Sequence, residues 1–257
     1  MSLLRKIRIK TPEEIEKMRN AGRVVALILN AIQNIIKPNI STKALERCAV
    51  DIATSFGVKT AFFGYRGFPG HICVSINEEV VHGIPSEKRL LKEGEIVSVD
   101  VGIEADGFFA DAAATFPVGT ISTKAQKLIS VTKKSLDIAI QYMRPGLRLS
   151  QLSSAIENFV HSNRFSVVRE YVGHGIGAAL HEDPAVPNYC DSALLRNDVV
   201  FVPGIVLAIE PMVNEGTSAT KKLQDGWTVV TLDGKLSAHF EHTVAVTESE
   251  PLIITAP

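Results

Sequence analysis

Asp100, Asp111, His174, Glu210 and Glu241 are the residues of this 257-residue sequence whose types and settings could do chemistry together. The aspartates carry the sharpest argument. Ile96-Val97-Ser98-Val99-Asp100-Val101-Gly102-Ile103 alternates as a strand should, and a second such run, Phe108-Phe109-Ala110-Asp111-Ala112, follows Asp106-Gly107. With Asp106 and Gly107 as the two loop residues of a hairpin, Asp111 stands opposite Gly102 and Asp100 lies diagonal to it on the same face. Diagonal Cβ atoms are roughly 7 Å apart, near enough for two carboxylates to converge on a common centre. Two acids among Val101, Phe109 and Ala112 repel each other and lose hydration, so they need a cation or a shared proton. A solvent-facing pair on a half-exposed hairpin is the other reading. Gly102 between them is expected to leave room for a ligand.

The later segments favour the cation. Gly173-His174-Gly175-Ile176-Gly177 follows a strand-like run, Ser166–Val172. With Ala178 it fits a dinucleotide fingerprint, but that needs a helix directly after it, and Pro184 and Pro187 break one there. Val206–Ile209 reads as a buried strand ending in Glu210-Pro211. Trp227–Thr231 and Leu236–Thr247 flank Asp233-Gly234 as a further hairpin, whose second strand carries Glu241-His242. An acid inside an apolar strand is costly unless it meets a metal or a base. Oxygen-rich ligands with one imidazole suit a pair of divalent ions sharing a water, and they argue against a structural zinc. HExxH, GxSxG and P-loop signatures do not occur.

Two similar sets of elements must position these residues. Thr11-Pro12-Glu13-Glu14 is a helix start, with an apolar stripe from Ile15 to Ile36 that stops at Pro38. A second helix follows the caps Ser41-Thr42 and stops at Gly57. The order returns with a helix from about Ser122 to Met143 and another opening at Ser150. Lys37-Pro38-Asn39-Ile40 lies over Arg144-Pro145-Gly146-Leu147 at an offset of 107 residues (145−38), and β-branched runs follow each helix pair. The order reads as an internal duplication, with two unrelated helix pairs as the alternative. The expected architecture is α+β: one domain over 1–257, with halves of about 1–120 and 121–257 meeting at a pseudo-two-fold axis.

Composition narrows the partners. Lys and Arg total 27 against 28 Asp and Glu, so no basic excess exists to condense on a phosphate backbone. Cys48, Cys73 and Cys190 form no CxxC pair, which fits a reducing compartment. No apolar stretch is long enough to span a bilayer, and MSLLRKIRIK lacks the apolar core of a signal peptide.

In chain order stand His82-Gly83-Ile84-Pro85, Asp100, Asp111, Gly173-His174-Gly175-Ile176-Gly177, His181, Glu210-Pro211-Met212 and Phe240-Glu241-His242-Thr243. Over essentially its whole length the chain resembles the type I methionine aminopeptidases of the pita-bread fold. That resemblance implies two divalent ions (Mn, Fe, Co or Zn) held by Asp100, Asp111, His174, Glu210 and Glu241, with Asp111 and Glu241 bridging. It implies Glu210 as general base and then acid, and His82 and His181 as hydrogen-bond partners of the substrate. It implies a methionine pocket lined by Tyr65, Phe68, Cys73 and Trp227, with Phe62 and Leu180 nearby, and a monovalent cation near Asn77 and Ser237. Phe62, Phe68 and Leu180 stand where bacterial members carry Cys, Tyr and Phe, and His239 where Gln is often found.

The implied reaction removes the initiator methionine from peptides and nascent chains at the ribosome when the second residue is small. A monomer in the cytoplasm, with no nucleic-acid specificity and no membrane, is expected. Ile209–Glu241 has no room for the type II insertion, and no Cys-rich extension precedes Thr11, so a minimal bacterial-style enzyme is expected. An Xaa-Pro exopeptidase, a metal-free amidinohydrolase or an inactive binding protein on the same fold are the alternatives.

Overall fold

Thr11 opens the first helix as its sequence predicts: its hydroxyl accepts the Glu14 N–H (3.2 Å), and the Glu14 carboxylate accepts the Thr11 N–H (3.0 Å). The computed structural model describes residues 7–256, so the reading of the first six residues lies outside it. α1 (Pro12–Ile35) and α2 (Thr42–Ser55, capped by the Ser41 hydroxyl) precede β1 (Lys59–Thr60), β2 (Cys73–Ile76) and β3 (Glu79–Val81). The hairpin β4 (Ile96–Ala105) and β5 (Phe108–Pro117) completes the first half.

α3 (Thr123–Ile140) and α4 (Leu149–Ser162) begin the second half. They lead to β6 (Ser166–Val167), β7 (Gly173–Gly175), β8 (Glu182–Val186), α5 (Ser192–Arg196) and β9 (Val206–Ile209). β10 (Met212–Asn214), β11 (Thr220–Lys222), β12 (Val229–Thr231), β13 (Ser237–His239), β14 (His242–Ala245) and β15 (Leu252–Ile253) follow.

β4 carries β5 along one edge and β1 and β2 along the other, all antiparallel. A five-stranded sheet, β15-β14-β9-β7-β8, is its counterpart in the second half, and two three-stranded sheets, β13-β10-β6 and β11-β12-β3, complete the β structure. Each half buries its helix pair on its own sheet. Met18, Ile28 and Leu45 pack with Val99, Val101 and Ile103, while Leu128, Leu152 and Ile156 pack with Leu207, Ile209 and Val244. Each such side chain, fully buried, contributes roughly 1.5–3 kcal/mol. No described helix is long and apolar enough to cross a membrane.

The halves join along a seam of one antiparallel register. Ala113 and Glu241 exchange backbone hydrogen bonds, N–H to O at 3.4 and 2.9 Å. On either side a threonine hydroxyl replaces a backbone partner. Thr243 Oγ1 accepts from Asp111 N and donates to Asp111 O, and Thr115 Oγ1 does the same for His239. Asp111 corresponds to His239 and Thr115 to Thr243, both at an offset of 128 (239−111 and 243−115). α2 and α4 are both 14 residues long, at the predicted offset of 107 (149−42). The pseudo-two-fold arrangement is therefore present in the backbone.

Four local expectations need correcting. Leu236–Thr247 is not one strand but two, β13 and β14, broken where the Glu241 backbone pairs with Ala113. Asp233-Gly234 is a turn, but its flanks do not pair: β12 joins β11 and β3, whereas β13 joins β10. The Asp233 carboxylate instead accepts the Thr217 N–H at 2.9 Å. Of Ser166–Val172 only Ser166–Val167 is strand. Gly102 makes room for protein rather than ligand, since a Cβ there would lie 2.6 Å from the Phe62 ring.

Candidate active site

The β4–β5 hairpin has the register its sequence predicts: Gly102 faces Asp111, Asp100 faces Ala113, and Asp106 and Gly107 both take positive φ at the turn. Cys73 flanks Asp100 across the other edge. Small neighbours thus leave both carboxylates free to point into one space. His174 lies on β7 opposite Ala208, where its Nδ1 pairs with the Gly175 carbonyl (2.9 Å) and its Nε2 stands 3.5 Å from Glu210 Oε1. An Nδ1–H donated to that carbonyl leaves the Nε2 lone pair turned to the acids. Glu210 follows β9, with its own carbonyl accepting Asn188 Nδ2 at 3.0 Å, and Glu241 sits in the gap between β13 and β14.

Donor atoms of Asp111, His174 and Glu241 lie within 4.8 Å of one another, all three buried. Asp100 Oδ1, Asp111 Oδ1 and Glu241 Oε1 are buried with no hydrogen-bond partner among the described residues. Burial pushes all four carboxyls above the usual range, and mutual repulsion adds to this for Asp100, Glu210 and Glu241. Such a group must either hold protons or surround positive charge. Unpartnered oxygens beside one lone-paired imidazole fit divalent cations, whose binding releases those protons.

A cavity of about 350 Å³ opens from this cluster. It is lined by all of the expected side chains: the five candidate ligands, His82, His181, Phe62, Tyr65, Phe68, Cys73, Leu180 and Trp227. Phe68 meets Trp227 edge-on at 5.2 Å, and burial raises the Cys73 thiol well above its ordinary pKa, so this wall is apolar and uncharged.

His82 has a left-handed backbone (φ 61), and the next residue, Gly83, packs so tightly on the Val74 and Ser75 backbone that no side chain fits there. Its ring meets Tyr171 and Trp227 edge-on, at 5.5 and 6.4 Å. His181 stacks on Tyr65 at 5.2 Å and tilts against His174 at 4.0 Å, its outer edge open to solvent. Burial, helped by Lys222 for His82 and by Arg66 for His181, lowers both imidazoles to about 4, so they are neutral at pH 7.

Met212, from the Glu210-Pro211-Met212 motif, also lines the cavity, as does Tyr171, which no motif marked. His239 is fully enclosed, with Nε2 3.8 Å from Glu210 Oε2 and 4.0 Å from Glu241 Oε2, and burial drives its pKa to about 3. Asn77 and Ser237 are brought together by a hydrogen bond from the Ser237 N–H to the Asn77 carbonyl, 2.8 Å.

Residues 16–248 match metallopeptidase family M24. Methionine aminopeptidase 1 of Bacillus subtilis is 51% identical over 246 residues, spanning 96% of this chain and 98% of that one. The methionine aminopeptidase of Escherichia coli K12 is 46% identical across 97% of this chain and 94% of its own. The crystal structure of methionine aminopeptidase from Thermotoga maritima superposes with a TM-score of 0.94 at 46% identity, covering 98% of this chain and 100% of that one. An Xaa-Pro dipeptidase from Bacillus anthracis shares the fold alone, at TM-score 0.75 and 20% identity. With its α+β pita-bread architecture, the chain belongs to the methionine aminopeptidases of metallopeptidase family M24.

Proposed function

We propose that this chain, acting as one catalytic domain, removes the N-terminal methionine from peptides and nascent proteins whose second residue is small. The convergence of Asp100, Asp111, His174, Glu210 and Glu241 at the base of an apolar cavity carries the reading. These five residues would hold two divalent ions, Mn, Fe, Co or Zn, with Asp111 and Glu241 shared between them. Such a pair supplies, when bound, a water acidified towards neutrality and a Lewis acid for the scissile carbonyl.

The remaining chemistry belongs to the side chains. Glu210 turns one oxygen to His174 and the other to His239, at 3.5 and 3.8 Å, and is placed to take a proton from the attacking water and pass it to the departing amine. Neutral His82 and His181 donate N–H groups to the substrate carbonyl as it gains negative charge. Phe68, Cys73 and Trp227 form a polarisable slot for an unbranched thioether. Tyr65 stacked on His181, and Tyr171 edge-on to His82, line the same cavity and would limit the room for the second residue.

Asn77 and Ser237 would hold a monovalent cation outside this centre. A monomer meeting nascent chains at the ribosome in the cytoplasm fits the reading, without nucleic-acid specificity. The test is methionine release by EDTA-stripped protein titrated with Mn, Fe, Co and Zn. Met-Ala-Ser is cleaved only with metal, and Met-Lys-Ser hardly at all. Equal cleavage of both, or cleavage without metal, overturns the reading, and faster turnover of Xaa-Pro substrates transfers it to the proline-specific branch.

A further inference from the structure

We propose that Lys10 is a positioning residue for substrate binding, acting through a buried ion pair with Glu182 that fixes the loop bearing Leu180 and His181; the inference rests on the aminopeptidase reading above. Residues 176–181 connect β7, which carries His174, to β8, which begins at Glu182. This loop supplies both an apolar wall and one of the two neutral imidazoles of the cavity. Ala178 and Ala179 are exposed and hold nothing in place by packing.

Glu182 fixes the loop instead. One carboxylate oxygen accepts the Ala179 N–H at 3.1 Å, and the other takes the Lys10 ammonium at 2.7 Å. Lys10 comes from the segment ahead of α1, 172 residues away in sequence, and its side chain is only 1% exposed against 13% for Glu182. Its own backbone N–H is tied to the Gly204 carbonyl at 2.8 Å. The stem of Lys10 and the Glu182 carboxylate fill the space beside Gly177, where a Cβ would collide with both. On its far side Gly177 accepts the Phe109 N–H at 2.8 Å, which couples the loop to the strand of Asp111. An enclosed lysine with a single carboxylate partner, and no contact with the metal cluster, is placed to hold the loop and not to react.

The test compares wild type with Lys10→Met and Lys10→Arg, each loaded with Mn. Hydrogen exchange in peptides covering 176–182 becomes about tenfold faster in Lys10→Met, and KM for Met-Ala-Ser rises by at least about tenfold, because small displacements of a binding group are costly. Mn affinity stays at the wild-type value, since no ligand lies on the loop. Lys10→Arg restores both loop protection and KM, because a guanidinium still reaches the carboxylate. Wild-type exchange and KM in Lys10→Met overturn the proposal, as does a KM change that accompanies lost Mn binding. Should Lys10→Met fail to fold, Glu182→Gln keeps the Ala179 acceptor while removing the charge, and unaltered loop exchange in that variant is equally fatal. The exchange measurement does not depend on turnover, so an inactive wild type with a Lys10-dependent loop refutes the activity and leaves the ion-pair role standing.

Discussion

Thr243 binds the Asp111 backbone twice: its hydroxyl accepts the Asp111 N–H at 2.9 Å and donates to the Asp111 carbonyl at 2.8 Å, both fully buried. A side chain in one half thus sets the position of a candidate ligand in the other. Thr243→Val keeps the shape and removes both bonds, leaving a buried donor and acceptor unpaired at about 1–3 kcal/mol each. Denaturant titration is expected to show a loss of about 2–6 kcal/mol together with weakened Mn binding. An unchanged midpoint means the seam does not depend on this hydroxyl.

Asp100→Asn has opposite effects with and without metal. In EDTA the variant relieves a crowd of buried acids, and melting is expected a few degrees higher than wild type at pH 8, where about 1 kcal/mol corresponds to roughly 2–4 °C. With Mn or Co the wild type gains stability and the variant does not, because ligand binding to the folded state is what stabilises it. A lower melting point for the variant in EDTA contradicts the repulsion that burial and neighbouring acids impose on Asp100.

Gly102→Ala tests the pocket wall. The new methyl would press on the Phe62 ring and on Ala61. Overpacking of this kind costs typically 1–3 kcal/mol, and here it should also raise KM for methionyl peptides by moving Phe62. Wild-type KM and stability together would show that the ring has free space behind it.

Glu79 gives a pH dependence away from the metal centre. Its carboxylate accepts the Ile76 N–H at 2.7 Å, yet burial raises its pKa from 4.5 to about 7. The unfolded chain releases this proton at the lower value and the folded chain at the higher, so folding takes up a proton between them. Stability from this group is complete below pH 4.5 and is lost as the pH rises through about 7. After discounting for partial solvent access the change is about 2 kcal/mol. Melting curves of Glu79→Gln from pH 5 to pH 8 should be flatter than those of wild type, and parallel curves would refute the shift.

Local pattern was enough for the hairpin, the Thr11 and Ser41 caps, and the Val206–Ile209 strand, because turn chemistry and alternation are written in adjacent residues. The thirteen expected site residues, which share one cavity, were marked by motif order and by the family resemblance and not by periodicity. What was hidden depends on partners far away in sequence. The Asp198 carboxylate accepts the Ser150 N–H from 48 residues away, a tie at the start of α4 that no local pattern marks. Phe62 fills the space at Gly102, which looks like ligand room when only the hairpin is considered. Glu241 breaks the run from Leu236 to Thr247 in two, since its backbone pairs with Ala113 across the seam. His239 looked like a simple change of residue type, and only the packed structure shows its ring shut in against two acids.

The seam also divides ownership of the reaction. Asp100 and Asp111 come from the first half and His174, Glu210 and Glu241 from the second, with Glu241 on the last stretch before β14. Neither half alone therefore carries all five donors. The five come into one place only where β14 packs against β5, so a break in that contact would separate the acids of one half from the imidazole and acids of the other.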